Sequence, residues 1–484
     1  MNYFARIAAI VMLPLIAATK TMAQEKKPVA LSSDTMIDPA ALTVTGIYGQ
    51  AINGLPFQIE TLWTHAGYQY IGYYNARRHV CLARRQLPNG PVQTIEFADY
   101  NFKSDDAHNI VSIGICAADG TIHLNFDEHA SMMHHRVSKP GLATWPAEMP
   151  WTTEQFGPIV NELEKGKPQK RFTYPNFLAT PTGGLQLFFR NGGSGNGDQW
   201  MADYDPATRA WKNVHEFISG KGALSEGGQS SRSRNAYPNP PTYAPDGALH
   251  LTWTWREIGF GNNHDIAHAL SRDGGLTWEN ESGQTVANMG GQLIDINSQV
   301  PGVPVPRTLC IMNTQGQAVD AKGNLHVLMW HSDAEGMKAA KPGTFETLWG
   351  PRQARRYHHY WRGAVDGVWH GTVLPDVAGT RPRLAIDSHD NAWAMYTVDS
   401  GAVDAASAGL YFPNGKLVIA HATAASGWSD WTRVYENDGP FLGEVLNDPY
   451  RLGADDVLSI MMQSSPKSPG EATALRVLDF RLNP

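Results

Sequence analysis

The chain of 484 residues carries a net charge of -7 with its 39 Lys and Arg dispersed, so no basic stripe exists for nucleic acid. Three cysteines, Cys81, Cys116 and Cys310, are too few and odd in number for a disulfide scaffold. Forty-seven Gly, 31 Pro and a high content of Trp, Tyr and Phe, without sustained helical periodicity, fit an all-β protein with many turns and aromatic surfaces suited to sugars.

At the N-terminus, Arg6, the apolar run from Ile7 to Ala18 and the small-residue step Thr21-Met22-Ala23 read as a secretory signal over residues 1–23, with Gln24 first in the mature protein. The run is shorter than the roughly 20 residues of a spanning helix, and no later segment could cross a membrane. A secreted or periplasmic protein is expected, with residues 24–40 as an N-terminal arm and residues 41–484 as one β domain. From Asp106 to Val137 the chain reads as a β-hairpin. The apolar run Ile110 to Cys116 meets a turn at Asp119-Gly120, and Ile122, Leu124 and Phe126 alternate with polar residues on the way back. Folding about that turn brings His108 and His129 to one sheet edge.

The same turn recurs, followed by β-formers, at Gly67, Gly120, Gly184, Gly247, Gly323, Asn391 and Asp456. A period of roughly 50–75 residues suits four-stranded units with loops, so the expected fold is a seven-bladed β-propeller. The last unit lacks room for a fourth strand, which Leu42 to Ile47 is expected to supply, closing the ring. A β-sandwich with an appended domain would not explain a sevenfold period. Ser271-Arg-Asp-Gly-Gly-Leu-Thr-Trp278 has the form of an Asp-box turn, with weaker versions at Asp205 to Trp211 and Asp366 to Trp369; these read as structural.

Hairpin folding places Tyr174 opposite Arg190 and Tyr237 near Arg256, at the same end as His108 and His129. A guanidinium can bind a carboxylate and neutralise it, making the neighbouring C–H more acidic, while His and Tyr supply acid and base. Tyr serves as a base when cations lower its value of ~10, and Arg190 is the expected cation for Tyr174. Arg190 runs into Asn191-Gly-Gly-Ser-Gly-Asn-Gly-Asp198, where small residues could let a polymer approach Ser194 and Asn196; a flexible loop is the alternative.

The words Asp106-Ala-His-Asn109, His123-Leu-Asn-Phe-Asp-Glu-His129, Tyr174-Pro-Asn-Phe177, Arg190-Asn-Gly-Gly-Ser-Gly-Asn-Gly197, His250-Leu-Thr-Trp-Thr-Trp-Arg-Glu257 and Asn263-His-Asp265 resemble those of secreted seven-bladed propeller polysaccharide lyases with BNR-type repeats, and most closely the ulvan lyases. The resemblance covers about residues 100 to 370. It implies His108 and Tyr174 as the proton-transfer pair, His129 and Arg190 at a uronate carboxylate, and Tyr237 as a further substrate contact, with the base depending on which uronate epimer is bound. The expected partner is an anionic polysaccharide and the expected state a monomer, without nucleic acid, membrane or organic cofactor.

The resemblance also implies a structural zinc. Cys310 and His331 flank the turn at Asp320 to Gly323, and His264 and His358 begin outer strands at the same end, giving four ligands of suitable type. His359 or Asp265 could replace one of them, and a buried thiol with unrelated histidines is the alternative. A sialidase would need three arginines and a Tyr-Glu pair, and a binding propeller would need neither His108 nor Tyr174 for its activity.

Overall fold

The computed structural model describes residues 28–483 apart from 47, 48, 56, 58, 59, 261, 343, 345 and 400–414. The signal-peptide reading of residues 1–23 therefore falls outside the described residues. What is described is nearly all β, and its α-helices are the short Glu346–Trp349 and Pro449–Asp455. No described helix is long and apolar enough to cross a membrane.

The main sheets follow the chain. The first contains Leu62–His65, Tyr68–Tyr74, His79–Gln86 and Val92–Asn101, and the second Ser112–Cys116, Thr121–Asn125 and His135–Val137. The third is built on Phe172–Ala179, Leu185–Gly193, Asn196–Asp205 and Ala210–Ile218. The fourth is centred on Ser233–Pro238, Leu249–Ile258 and Asn263–Ser271, and the fifth on Gly316–Val319, Leu325–Ser332, Arg355–Arg362 and Trp369–Val377. A final seven-stranded sheet holds two repeats, because the long strand Thr432–Asn447 pairs through its first half with Gly415–Ala422 and through its second half with Val457–Ser464.

Six of the seven expected turns join the first two strands of a repeat, and left-handed residues such as Gly67, Gly120, Gly247 and Asp390 reverse the chain there. The seventh differs. Helix Pro449–Asp455 intervenes, and Asp456 is its left-handed C-cap. Asp448 caps the other end through its side chain, with Pro449 in the first turn.

The strand that completes the last repeat is Val29–Ala41, antiparallel to Thr473–Leu482 with Val29 opposite Leu482 and Ala41 opposite Thr473. This corrects the expectation for Leu42 to Ile47 and moves most of the supposed arm into the sheet. The segment 42–46 instead leads away from the strand, with the Leu42 N–H donating to the Tyr74 carbonyl.

Neighbouring sheets pack through apolar side chains and few, well-placed polar contacts. Gly114 has no side chain because a Cβ there would come within 2.5 Å of Phe177 from the third sheet. Tyr74 donates to the Asn109 carbonyl (2.8 Å), Gln186 to the Gly274 carbonyl (2.7 Å) and Thr252 to Gln317 (2.6 Å). The last sheet reaches the first: Thr64 donates to Asp448 at 2.6 Å, and Arg85 and Arg451 both donate to the buried Asp479 at 2.8 and 2.7 Å. Burial alone would raise the Asp479 carboxyl, but Arg85 and the surrounding hydroxyls hold it below its ordinary value. The Asp box is structural as expected: Asp273 accepts from the Thr277 N–H and hydroxyl at 2.8 and 2.7 Å, and Trp278 is fully buried.

Candidate active site

His108 and His129 do meet, but not across their own hairpin. That hairpin begins only at Ser112, opposite Asn125, while His108 sits in the preceding loop. His129 belongs to a three-residue strand, His129–Ser131, that pairs with Phe172–Ala179 of the third sheet. What joins them is Asp106. Its Oδ1 accepts from the His108 backbone N–H at 3.0 Å and from His108 Nδ1 at 2.5 Å, and its Oδ2 accepts from His129 Nδ1 at 2.6 Å. The imidazoles stack with centroids 4.5 Å apart and planes inclined by 18°.

Burial would raise the Asp106 carboxyl, but its hydrogen bonds to both histidines outweigh that and hold it well below the usual carboxylate range. A carboxylate only accepts, so each Nδ1 carries a proton. Burial draws His108 down to about 4 against the pull of Asp106, leaving the ring neutral at pH 7. His129 Nε2 faces the Tyr174 hydroxyl at 3.5 Å, and their rings stack at 5.4 Å. The His108 and Tyr174 ring centroids are 6.0 Å apart.

Tyr174 lies at a register break between Thr173 and Asn176 and has φ +53°, a left-handed conformation that costs a bulky residue of order 1–3 kcal/mol. Phe57 braces it from the loop before the first sheet, parallel to the phenol at 5.2 Å and 4.4 Å from the His108 ring. The Arg381 guanidinium lies 4.7 Å from the Phe57 ring.

Arg190, opposite Thr173, is 1% exposed and links the two tyrosines: its guanidinium carbon is 5.2 Å from the Tyr174 ring and 4.2 Å from that of Tyr237. Nη2 donates to the Ala236 carbonyl at 2.8 Å, whereas the buried Nε and Nη1 have no acceptor among the described residues. The Tyr237 hydroxyl meets Ser194 at 3.1 Å and Arg256 Nη1 at 3.3 Å. Burial would raise this phenol, but Arg190 and Arg256 prevail and bring it down to about 7. Arginine thus acidifies Tyr237, which the sequence reading does not single out for this effect. Asn196 is exposed opposite Gly193 at its hairpin end and is not drawn into the cluster by any described contact.

Sequence reasoning overlooked Asp106, Phe57 and Arg381. The first had a signal, since in Asp106-Ala-His108 the carboxylate can turn back onto the N–H two residues ahead. The other two come from distant loops and had none.

The expected zinc ligands are neighbours without converging. Among the described residues, the group of three or more potential ligands with all ligating atoms within 4.8 Å is Asp106, His108 and His129. Among the described residues, His264, Cys310, His331 and His358 do not form such a group. His264 is held between Asp265 (2.8 Å) and Glu257 (3.1 Å), raising its imidazole despite burial. Cys310 Sγ faces the Thr347 carbonyl at 3.5 Å, and His331 contacts the Ser332 carbonyl and Tyr360. His331 and His358 stack at 3.6 Å, and the buried His358 Nε2 has no protein partner. At the Asp106 group, N···O separations of 2.5 and 2.6 Å are hydrogen bonds; ligands about 2.0–2.1 Å from a tetrahedral zinc stand roughly 3.3 Å apart.

Comparison with known proteins bears on this arrangement. A long-isoform ulvan lyase of an Alteromonas species is 24% identical over 323 residues, covering 56% of this chain and 31% of that protein. The long-isoform ulvan lyase of Pseudoalteromonas sp. strain PLSV gives the same identity and coverage. The chain thus spans about a third of the length of these curated relatives. Among solved structures, polysaccharide lyase Uly1 superposes over 94% of this chain and 100% of its own, with a TM-score of 0.69 at 18% identity. A PL25 ulvan lyase bound to -[GlcA(1-4)Rha3S]- superposes over 91% and 95%, with a TM-score of 0.62 at 13% identity, so both share the fold. The BNR repeat-containing family matches residues 68–377, well over half of the chain, and the protein belongs to that family.

Proposed function

We propose that this protein is a polysaccharide lyase that cleaves ulvan, a sulfated uronate-containing polymer, by β-elimination. The observation that carries the reading is one unbroken cluster, Asp106, His108, His129, Tyr174, Arg190 and Tyr237, which joins proton-transfer groups to a buried guanidinium with two unused donor nitrogens. The ulvan lyases among its relatives support the choice of polymer.

In this reading the uronate carboxylate lies beside His129 and against Arg190, whose guanidinium neutralises it and acidifies the C5 proton. His108, neutral at pH 7, takes that proton, the C5–H electrons form the C4=C5 double bond, and the C4–O4 bond breaks. Tyr174 donates its hydroxyl proton to the departing O4, leaving a 4,5-unsaturated uronate on the new non-reducing end. For the epimer with C5–H on the other face, the pair exchanges roles in the form that carries the proton on His108 Nε2 and the ionised Tyr174 phenol. Tyr237, Arg256 and Ser194 border the same cleft and contact the sugar, and Asn196 belongs to the loop over which the polymer passes.

The same reading takes the repeats as seven blades of one ring. Support comes from the polar contacts of the last sheet with the first, and from a cleft reached by Glu60, Phe177, Thr242, Gln317, Arg383 and Asn447, which come from six different repeats. Secretion, with residues 1–23 removed, fits action on an extracellular polymer too large to be imported. A structural zinc is favoured by the stacked His331 and His358 with its unpartnered nitrogen, whereas the two carboxylates on His264 oppose its place as a ligand. No reaction step runs through a metal.

The deciding experiment incubates purified protein with ulvan and follows the ultraviolet absorbance of the conjugated product. New absorbance establishes the lyase. New reducing ends without absorbance indicate a hydrolase, and neither signal indicates a binding protein or another polymer.

A further inference from the structure

We infer that Asp106 is a positioning residue whose single carboxylate fixes the tautomers of both His108 and His129, and thereby sets the direction of the hydrogen bond between Tyr174 and His129. Its two oxygens are not equivalent. Oδ1 is tied to the main chain through the His108 N–H at 3.0 Å, an Asx turn reinforced by the Ser104 hydroxyl accepting from the Asp106 N–H at 2.9 Å. Oδ2 accepts from His129 Nδ1 at 2.6 Å. With a proton on His129 Nδ1, the ring in its uncharged form presents a lone pair at Nε2, and the Tyr174 hydroxyl then donates to it. The polarity of that contact is thus decided on the far side of the ring from Tyr174.

Asp106→Asn separates this from simple support. Its amide oxygen is needed in the turn, because only it can accept the His108 N–H. The amide NH2 then faces His129 Nδ1 as a donor, and the ring must carry its proton on Nε2 instead. Nε2 then becomes a donor toward Tyr174, and the hydroxyl proton must turn elsewhere. Shape, volume and the turn are preserved, while the proton order along Asp106, His129 and Tyr174 is reversed. In a serine protease, the same change in a carboxylate behind a catalytic histidine lowers kcat by about 10⁴ through the wrong tautomer.

The kinetic arm rests on the lyase reading, and the spectroscopic arm does not. Long-range ¹⁵N–¹H correlation spectra of the histidine-labelled protein are expected to show both His108 and His129 with Nδ1 protonated in the wild type, and His129 moved to Nε2 in Asp106→Asn. With ulvan, that variant should lose about 10²–10⁴ in kcat with KM within about threefold, while melting within a few degrees of wild type. A wild-type His129 protonated at Nε2, a variant that keeps Nδ1–H, or a kcat within threefold of wild type would each overturn the assignment. The wild-type spectrum decides even if the variant does not fold. Failure of the wild type to cleave ulvan overturns the lyase reading and leaves the tautomer test standing.

Discussion

Histidines occur here in two settings that share stacked rings and little else. At the mouth, His108 and His129 stack at 4.5 Å over one carboxylate and beside a tyrosine hydroxyl. Deep in the sheets, His123 with His135, His250 with His268, and His326 with His359 stack at 5.2–5.3 Å between the second and third strands of their repeats. In these deeper pairs ring nitrogens face each other at 3.0–3.4 Å, so one ring must donate and the other accept. Burial pushes His250 down to about 3 and His135 to about 4. A histidine pair is thus a structural hydrogen bond when each ring serves the other. At His108 and His129 the rings do not serve each other, and one carboxylate takes Nδ1 of both.

The sharpest way to break this contrast is to exchange the readouts. Tyr174→Phe and His129→Gln should each lower kcat on ulvan by about 10²–10⁴ while the melting temperature moves by no more than a few degrees. Full activity in Tyr174→Phe would end its assigned role. His268→Ala should do the opposite, since it strands His250 and removes the 2.8 Å contact to Glu281. A loss of about 2–3 kcal/mol in denaturant unfolding is expected, with near-normal turnover per folded molecule.

Acid offers a third comparison. His250 and His135 are held neutral with folded values near 3 and 4, below the ordinary 6.5, so the unfolded chain binds protons first. Their contribution is complete above about pH 6.5 and is lost as pH falls toward 4, at up to about 1.4 kcal/mol per pH unit for each such histidine. Thermal melts should therefore decline across pH 6.5 to 4, before carboxylates such as Glu281, lowered to about 2, add their own loss. A flat profile over that window would mean that the pairs do not sense solvent acidity. The smallest effect belongs to a carboxylate that serves a turn and no imidazole: Asp273→Ala should cost about 1 kcal/mol and leave turnover unchanged.

Turns made the repeat legible. Asp-Gly and Gly-Gly steps mark a backbone conformation that few residues adopt, and the alternating strands beside them point to one buried face. Less legible was Val29–Ala41, where Asp34, Asp38 and Pro39 interrupt the pattern while much of the strand faces outward. Its pairing depends on a partner more than 400 residues away, which no local window contains. At the site, Tyr174, Arg190, Tyr237 and Arg256 could be gathered from strand ends. The transfer of His129 to the next sheet rests on three residues, too short a strand to leave a periodic signal. Which phenol the arginines acidify is set by the approach of Arg190 and Arg256 to one ring, a side-chain distance beyond the reach of register arguments.

The pairing of Val29–Ala41 with Thr473–Leu482 also bears on how the protein is made. Synthesis yields Val29–Ala41 more than 400 residues before Thr473–Leu482, so the final sheet cannot close until that later strand has been made. Until then the inner neighbour Val457–Ser464 presents an open edge, the kind of surface that recruits foreign strands. Loss of Thr473–Leu482 would unzip both flanking strands at once and strip Asp479 from Arg85 and Arg451. Removing one strand there cuts a seam between segments more than 400 residues apart.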